Sequence, residues 1–377
     1  MWKTAVNTIG VLGATSALVV LAAVPALAND HTNDHTIWVE PGSGTISAAV
    51  AKASSGDTLR LRDGVYKDSV SVDKPLTIQG SGWGTELVPP DVRPKDNACN
   101  NFVEKMIPLP GAEEGICALG GVGDSGAPDT SKRVEDVRIS RLYVHGFNDV
   151  GVLGFNTDGF KVSKVKSNDN GGYGIARFVS VNSTFEDNST SNNTEAGLYM
   201  GDSPNANSVV RDNSTDHNGY GIFFRDSSFQ TAEGNKVSGN CVGVLALNTG
   251  SGGTPAADVG NYTITDNTIK DNNKECPASD EGPALSGIGV GLIGVKQTRV
   301  DDNTIVGQDP GSNATTVSGG IVVAQLPGGT APSHNKIFDN TMKNNHPADV
   351  VTDGTDTMLM LRDNDCRSLP NHHCIQP

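Results

Sequence analysis

Asp202 and Asp226 close two consecutive segments of one pattern, Gly197-Leu198-Tyr199-Met200-Gly201-Asp202 and Gly221-Ile222-Phe223-Phe224-Arg225-Asp226; a third, from Gly243 through Leu245, closes on Asn248. Stacked in register, the three end residues would form a column with neighbours about 4.8 Å apart. Two carboxylates that close repel, so they need a cation, turn amides or a shared proton. The functional readings are therefore a Ca2+ ion held by Asp202 and Asp226, or acid–base work by Asp202 and Asp226 with Arg225 beside them. Alternation along a strand turns Leu198 and Met200 inward and Tyr199, Phe223 and Arg225 outward. Exposed aromatic rings suit the flat apolar faces of sugars, and Arg225 suits a carboxylate or hydroxyl. The structural reading of the same column is that Asp before Ser203-Pro204 or Ser227-Ser228 is a turn former bonding its own backbone.

The same alignment points Arg177 inward, above Gly154 and beside Met200. Either the register shifts there or a buried guanidinium has a partner; Arg177 also stands as a substrate-binding candidate. Glu195, Asp216, His217 and Tyr220 lie near neighbouring turns and form a second set, with Glu195 and Tyr220 as binding residues and His217 as a catalytic one. His145 reads as a surface residue, and His31, His35, His372 and His373 lie near the termini, where no role is assigned. No nucleotide loop, nucleophile elbow or zinc helix motif is present.

These residues sit in an internal repeat. The phrase Asp-Asn recurs at Asp187-Asn188, Asp212-Asn213, Asp266-Asn267, Asp302-Asn303, Asp339-Asn340 and Asp363-Asn364, with Gly234-Asn235 in the same place. The intervals run from a little over twenty residues to just under forty, the period of a solenoid whose units bury their apolar faces by stacking. Each unit carries a short apolar strand after a Gly, as at Gly174-Ile175-Ala176 and Gly289-Val290-Gly291, between turns rich in Asn, Asp, Ser and Gly. With hardly any helical periodicity after residue 60, the pattern predicts an all-β chain of parallel strands. Asn at equivalent turns would hydrogen-bond the coils above and below. The glycine-rich nonapeptide of calcium-binding repeats is missing.

Residues 1–28 carry Lys3, an apolar run from Ile9 to Val24, Pro25 and the small-x-small Ala26-Leu27-Ala28. That reads as a secretory signal with cleavage after Ala28, against a membrane anchor as the alternative. Residues 29–377 read as one extended domain. The net charge is −15, and losing Lys3 makes it one more negative, which argues against nucleic acid and leaves a soluble, monomeric protein without a membrane partner. Six Cys in an exported chain suggest three disulfides. Sequence leaves the pairing open; nearest neighbours would join Cys99 to Cys117 within an insertion at 91–131, Cys241 to Cys276, and Cys366 to Cys374 in a tail at 366–377. Each would stabilise by about 2–4 kcal/mol.

Ile46, Ala49, Val50 and Ala53 lie at helical spacing, predicting a capping helix over 45–55 ahead of stacked coils at 133–365. From Thr45 to Gly80 the stretch ISAAVAKASSGDTLRLRDGVYKDSVSVDKPLTIQG resembles the opening of secreted right-handed parallel β-helix proteins. This is the pectate-lyase-like superfamily with its NosD-type and other carbohydrate-associated repeats, and the later coils are similar to uncharacterised actinobacterial members. The resemblance implies a single-stranded right-handed β-helix with a groove on the outer face of one sheet. There, polysaccharide-active relatives bind sugar chains, with Ca2+ or a cationic side chain stabilising an enolate. The chain departs from the pattern in lacking an Asp-Pro-His motif, a cluster of three Asp and a dense Arg and Lys patch. Met and suitably spaced His are too few for metal delivery. The expected function is an exported β-helix that binds extracellular or cell-wall polysaccharide and cleaves it by a lyase-like or hydrolytic reaction, or a non-catalytic carbohydrate-binding or surface scaffold.

Overall fold

The structure, a computed structural model, describes residues 35–106, 109–123, 126–252, 254–278 and 283–368. The predicted leader, His31, His372, His373 and Cys374 lie outside them.

Each coil is built from three short strands, because every run of apolar alternation is cut off by a turn. In one coil these are Thr184–Glu186, Ser189–Ser191 and Ala196–Gly201, and Ser208–Arg211 begins the next. Repetition stacks them into three parallel sheets of 12, 12 and 10 strands, called here sheets 1, 2 and 3 in the order a coil visits them. Two-residue turns join sheet 1 to sheet 2, except for the five-residue connection between Gln79 and Thr85. Register is uniform: Leu198 pairs with Ile222 and that with Val244, and Met200 pairs with Phe224 and that with Ala246. All six belong to the interior core, so the predicted inward set is the observed one.

The turns explain the repeat phrase. Its first residue adopts a left-handed conformation, with φ of 55° at Asp187, 57° at Asp212 and 65° at Gly234, which Asp, Asn and Gly tolerate best. Its Asn turns inward and bonds to the next coil. Asn188 donates both its backbone N–H (2.9 Å) and its side-chain amide (3.0 Å) to Asn213 Oδ1, and the pattern repeats through Asn235, Asn267, Asn303, Asn340 and Asn364. A second ladder at the corner between sheets 2 and 3 runs through Asn170, Asn193, Asn218, Asn240, Asn272 and Gln308 to Asn345. These ladders satisfy backbone groups that the turns would otherwise bury unpaired. At the same corner the strand-opening glycines let coils close up: a Cβ on Gly221 would lie 2.5 Å from Val237 Cγ1.

Thr45–Lys52 forms the first helix and buries Ile46, Ala49 and Val50 against the opening strands. A second helix, Ala98–Met106, is the exception to the scarcity of helical periodicity expected after residue 60. It buries Cys99, Asn100, Phe102 and Val103 along one side, a spacing confined to a single insertion and invisible in the repeat. Cys99 is bonded to Cys117 and Cys241 to Cys276, as nearest-neighbour pairing predicts. Cys366 is also disulfide-bonded. No helix among the described residues is long and apolar enough to cross a membrane.

Candidate functional site

The outer face of sheet 3 carries the predicted Tyr199, Phe223 and Arg225, with Asp202 and Asp226 at its strand ends, and its chemistry follows from the register. Tyr199 pairs with Phe223 and Gly201 with Arg225, so Asp202 and Asp226 occupy one column at the strand ends. Both are in the left-handed conformation, at φ 55° and 44°, as are Asn156 and Val179 in preceding coils. The turn-forming demand on the column is therefore real and shared by residues with no chemistry to offer.

Around this column the structure gathers Tyr199, Asp202, Arg225 and Asp226. The Tyr199 hydroxyl donates to Asp202 Oδ2 at 3.3 Å and accepts from the Arg225 guanidinium. Arg225 Nε lies 3.2 Å from Asp226 Oδ2. Asp226 is further occupied by Thr249, whose N–H (2.7 Å) and hydroxyl (2.6 Å) donate to its two oxygens. Asn248, next in the column, donates to the carbonyls of Ala256 and Gly294.

Electrostatics separate the four. Burial pushes the Tyr199 hydroxyl well above its ordinary value, so it is a phenol at neutral pH. Burial likewise raises Asp202, to about 6, although Arg225 opposes the shift. Burial alone would lower Arg225, but Tyr199, Asp202 and Asp226 outweigh it and hold the guanidinium firmly cationic. The set is thus a proton donor, a carboxylate poised near neutrality and a fixed cation.

Several expectations need correction. Tyr199 and Phe223 face outward but are not exposed, at 0% and 7%. They belong to a packed aromatic layer: Tyr199 lies 4.6 Å from Tyr173, 4.5 Å from Phe178 and 5.3 Å from Phe223 between ring centroids, and Tyr220 lies 4.9 Å from Phe223. Alternation assigns a side chain to a face of the sheet; it does not say whether that face is covered. Arg177 is no surface binding residue. It is wholly buried in the coil interior, where it donates to Gly201 O (3.2 Å), Ser203 Oγ and Gln230 Oε1 (2.7 Å), so the register holds and the guanidinium has partners. Its Nε has none.

Glu195 accepts a hydrogen bond from Tyr173, which ties it to the aromatic layer. His217 stays apart on an exposed turn, with Nδ1 2.6 Å from Asp216 Oδ2, and among the described residues no bond joins it to Tyr199 or Asp202. As for a metal, Asp226 has both oxygens engaged, and the described residues include no group of three or more His, Cys, Asp or Glu side chains suited to an ion. Sequence reasoning missed Tyr173 and Thr249. Tyr173 precedes a strand-opening Gly as Tyr220 does, a signal present in the aligned repeats; Thr249 lies past the aligned segment and gave none.

A family model described as "Right handed beta helix region" matches residues 127–257. No curated protein sequence matches significantly. Among solved structures, the chain is similar to the A-module of the Azotobacter vinelandii mannuronan C-5 epimerase AlgE4, at 18% identity, covering 85% of this chain and 89% of that one with a TM-score of 0.60. It is also similar to ORF18 of Geobacillus virus E2, at 12% identity over 87% of this chain and 60% of that one, with a TM-score of 0.51. At these identities the likeness is one of fold. Three parallel sheets, a family match over 127–257 and a fold likeness over 85% of the chain agree: the chain folds as a right-handed parallel β-helix.

Proposed function

We propose that this is an exported polysaccharide-binding β-helix whose sheet 3 face carries out lyase-type cleavage of a uronate-containing chain. The observation that carries the reading is the Tyr199–Asp202 hydrogen bond beside the Arg225–Asp226 ion pair. Asp202 would take the proton from the carbon beside the sugar carboxylate, Arg225 would stabilise the charge on that carboxylate, and Tyr199 would protonate the departing glycosidic oxygen. The C–H and C–O bonds break, a C=C bond forms, and Asp202 then returns its proton to Tyr199. Hydrolysis by two free carboxylates is less well supported, because Thr249 and Arg225 already engage Asp226. Export accords with the disulfides, which persist in oxidising compartments.

One observation favours a non-catalytic binding protein instead: the Arg225 side chain is only 11% exposed and that of Asp226 is 0%. A single assay separates the two. The protein is incubated with pectate, alginate, glycosaminoglycans and neutral glycans, with calcium and with chelator, following ultraviolet absorbance and reducing ends. A lyase raises absorbance with one uronate substrate, and Tyr199→Phe or Asp202→Asn lowers that rate by about a hundredfold or more. Reducing ends without absorbance would replace the lyase reading with a hydrolase, and silence in both channels with binding alone.

A further inference from the structure

Trp83 is 60% exposed, yet the loop that carries it is tightly specified. Where Asp187-Asn188 alone joins sheet 1 to sheet 2 in a later coil, residues 80–84 do so here, between the strands Thr77–Gln79 and Thr85–Val88. Ser81 N–H donates to Thr85 Oγ1 (3.0 Å), Ser81 Oγ to Leu61 O (2.9 Å) and Thr85 N–H to Gly82 O (3.1 Å). Gly80 packs so closely on the next coil that a Cβ would lie 2.1 Å from Arg141 O. An ordered loop that keeps an indole in water gains no burial for the fold in return. Among the described residues the other exposed indole, Trp38, has the Arg62 guanidinium 4.7 Å from its ring centre; there Trp83 has no such cover.

The ridge beside it changes sign. In the two coils after Trp83 the left-handed turn position is held by Arg141 and Lys164, and from Asp187 onward by Asp or Gly. Arg141 is exposed with no carboxylate partner among the described residues. Lys164 reaches Asp187 only at 4.0 Å, both half-exposed, a pair of little energetic weight. Trp83, Arg141, Lys164 and Asp187, with Ser81 and Gly82, line a cleft of about 400 Å³. Past Asp187 a second cleft of about 460 Å³ is mainly acidic, with Glu186, Asp212, Glu233 and Asp266 on its walls. Both lie on the ridge between sheets 1 and 2, away from the sheet 3 face.

We infer that the Trp83 cleft is a separate binding site for an acidic sugar, which stacks on the indole and places its anionic group between Arg141 and Lys164. An aromatic ring offers an apolar platform, and Arg pairs with a carboxylate through two parallel hydrogen bonds. In a chain with 28 basic and 43 acidic residues, two adjacent cations beside an exposed indole, Arg141 without a carboxylate partner among the described residues and Lys164 with only the distant Asp187, select for negative charge. The acidic wall beyond Asp187 confines such a ligand to the Trp83 end. The site shares a ligand class with the proposed function but none of its residues.

The test is equilibrium titration of the full protein, by calorimetry and by Trp83 fluorescence in a Trp2→Phe, Trp38→Phe background that leaves Trp83 as the one tryptophan of the sequence, with oligogalacturonate, a sulfated oligosaccharide and a neutral cello-oligosaccharide. At least one acidic oligomer is expected to bind, more weakly at high salt, and the two acidic probes tell carboxylate from sulfate as the preferred anion. Trp83→Ala should weaken binding by about tenfold, and Arg141→Gln or Lys164→Gln by about threefold with a smaller salt dependence. All three positions are exposed, so the variants should retain the wild-type circular dichroism and unfolding midpoint. Asp202→Asn and Arg225→Ala should leave the Trp83 signal unchanged, which separates this site from the sheet 3 face. Equal binding of the neutral oligomer, no binding of either acidic one, or full binding by Trp83→Ala overturns the inference.

Discussion

Asp202→Asn should make the protein more stable at neutral pH while removing a group placed here in the reaction. Burial raises the folded-state value of Asp202 from 3.8 to about 6, so the native protein holds this proton more tightly than the unfolded chain does. The associated stability is fully present below about pH 4 and is lost as the pH rises through about 6. Two pH units at about 1.36 kcal/mol each set a ceiling of about 3 kcal/mol, and contact with solvent at the edge of Asp202 brings the expected gain at pH 7 to about 1–3 kcal/mol. Asn can still accept from the Tyr199 hydroxyl, and no carboxylate remains to titrate. The assay is denaturant unfolding of wild type and variant at half-unit steps from about pH 4 to pH 8. Burial raises Asp149 as well, to about 6, and Glu114 further, so both proteins share that loss of stability and their difference isolates Asp202. The two curves should coincide near pH 4 and diverge through pH 6, with the variant above. A constant offset, or a variant that falls below wild type as the pH rises, would refute the assignment of a buried, proton-retaining carboxyl.

Two further substitutions probe the frame. Gln230→Leu removes the acceptor of a buried guanidinium and should cost about 2–4 kcal/mol, whereas Arg177→Met, which removes the charge itself, should be close to neutral; urea midpoints in the reverse order would show that the guanidinium is a net stabiliser. Asn213→Ala takes the acceptor from two Asn188 donors and the donor from Phe185 O, and should cost about 2–4 kcal/mol, measured as a shift in midpoint against an exposed control such as Ser214→Ala.

The frame was legible because its turn chemistry is local. An Asp or Gly that must be left-handed, followed by an Asn that must bond the next coil, leaves nearly the same two letters in each repeat from Asp187 onward, and alternation then turns Leu198, Met200, Ile222 and Phe224 inward. The candidate site was legible in position and not in environment. Asp202 and Asp226 stand where the backbone asks for Asp or Asn whatever the chemistry, so residue type alone could not separate turn former from acid. The burial of Tyr199 comes from Tyr173 and Phe178 in the preceding coil and Phe223 in the following one. The partners of Arg177 are similarly remote: Ser203 and Gln230 lie 26 and 53 residues along the chain. The helix Ala98–Met106 occupies an insertion, where the repeat carries no information.

Because each coil touches mainly the coil on either side, disturbance in this molecule dies out along one axis. The Trp83 loop and the Tyr199–Asp202 pair lie on different coils and different corners, with packed coils between them and no shared ladder contact. Substitutions at the two places should therefore act independently. Selection can then edit such a chain as one edits beads on a rod, recasting one turn or one strand end while the rest keeps its register.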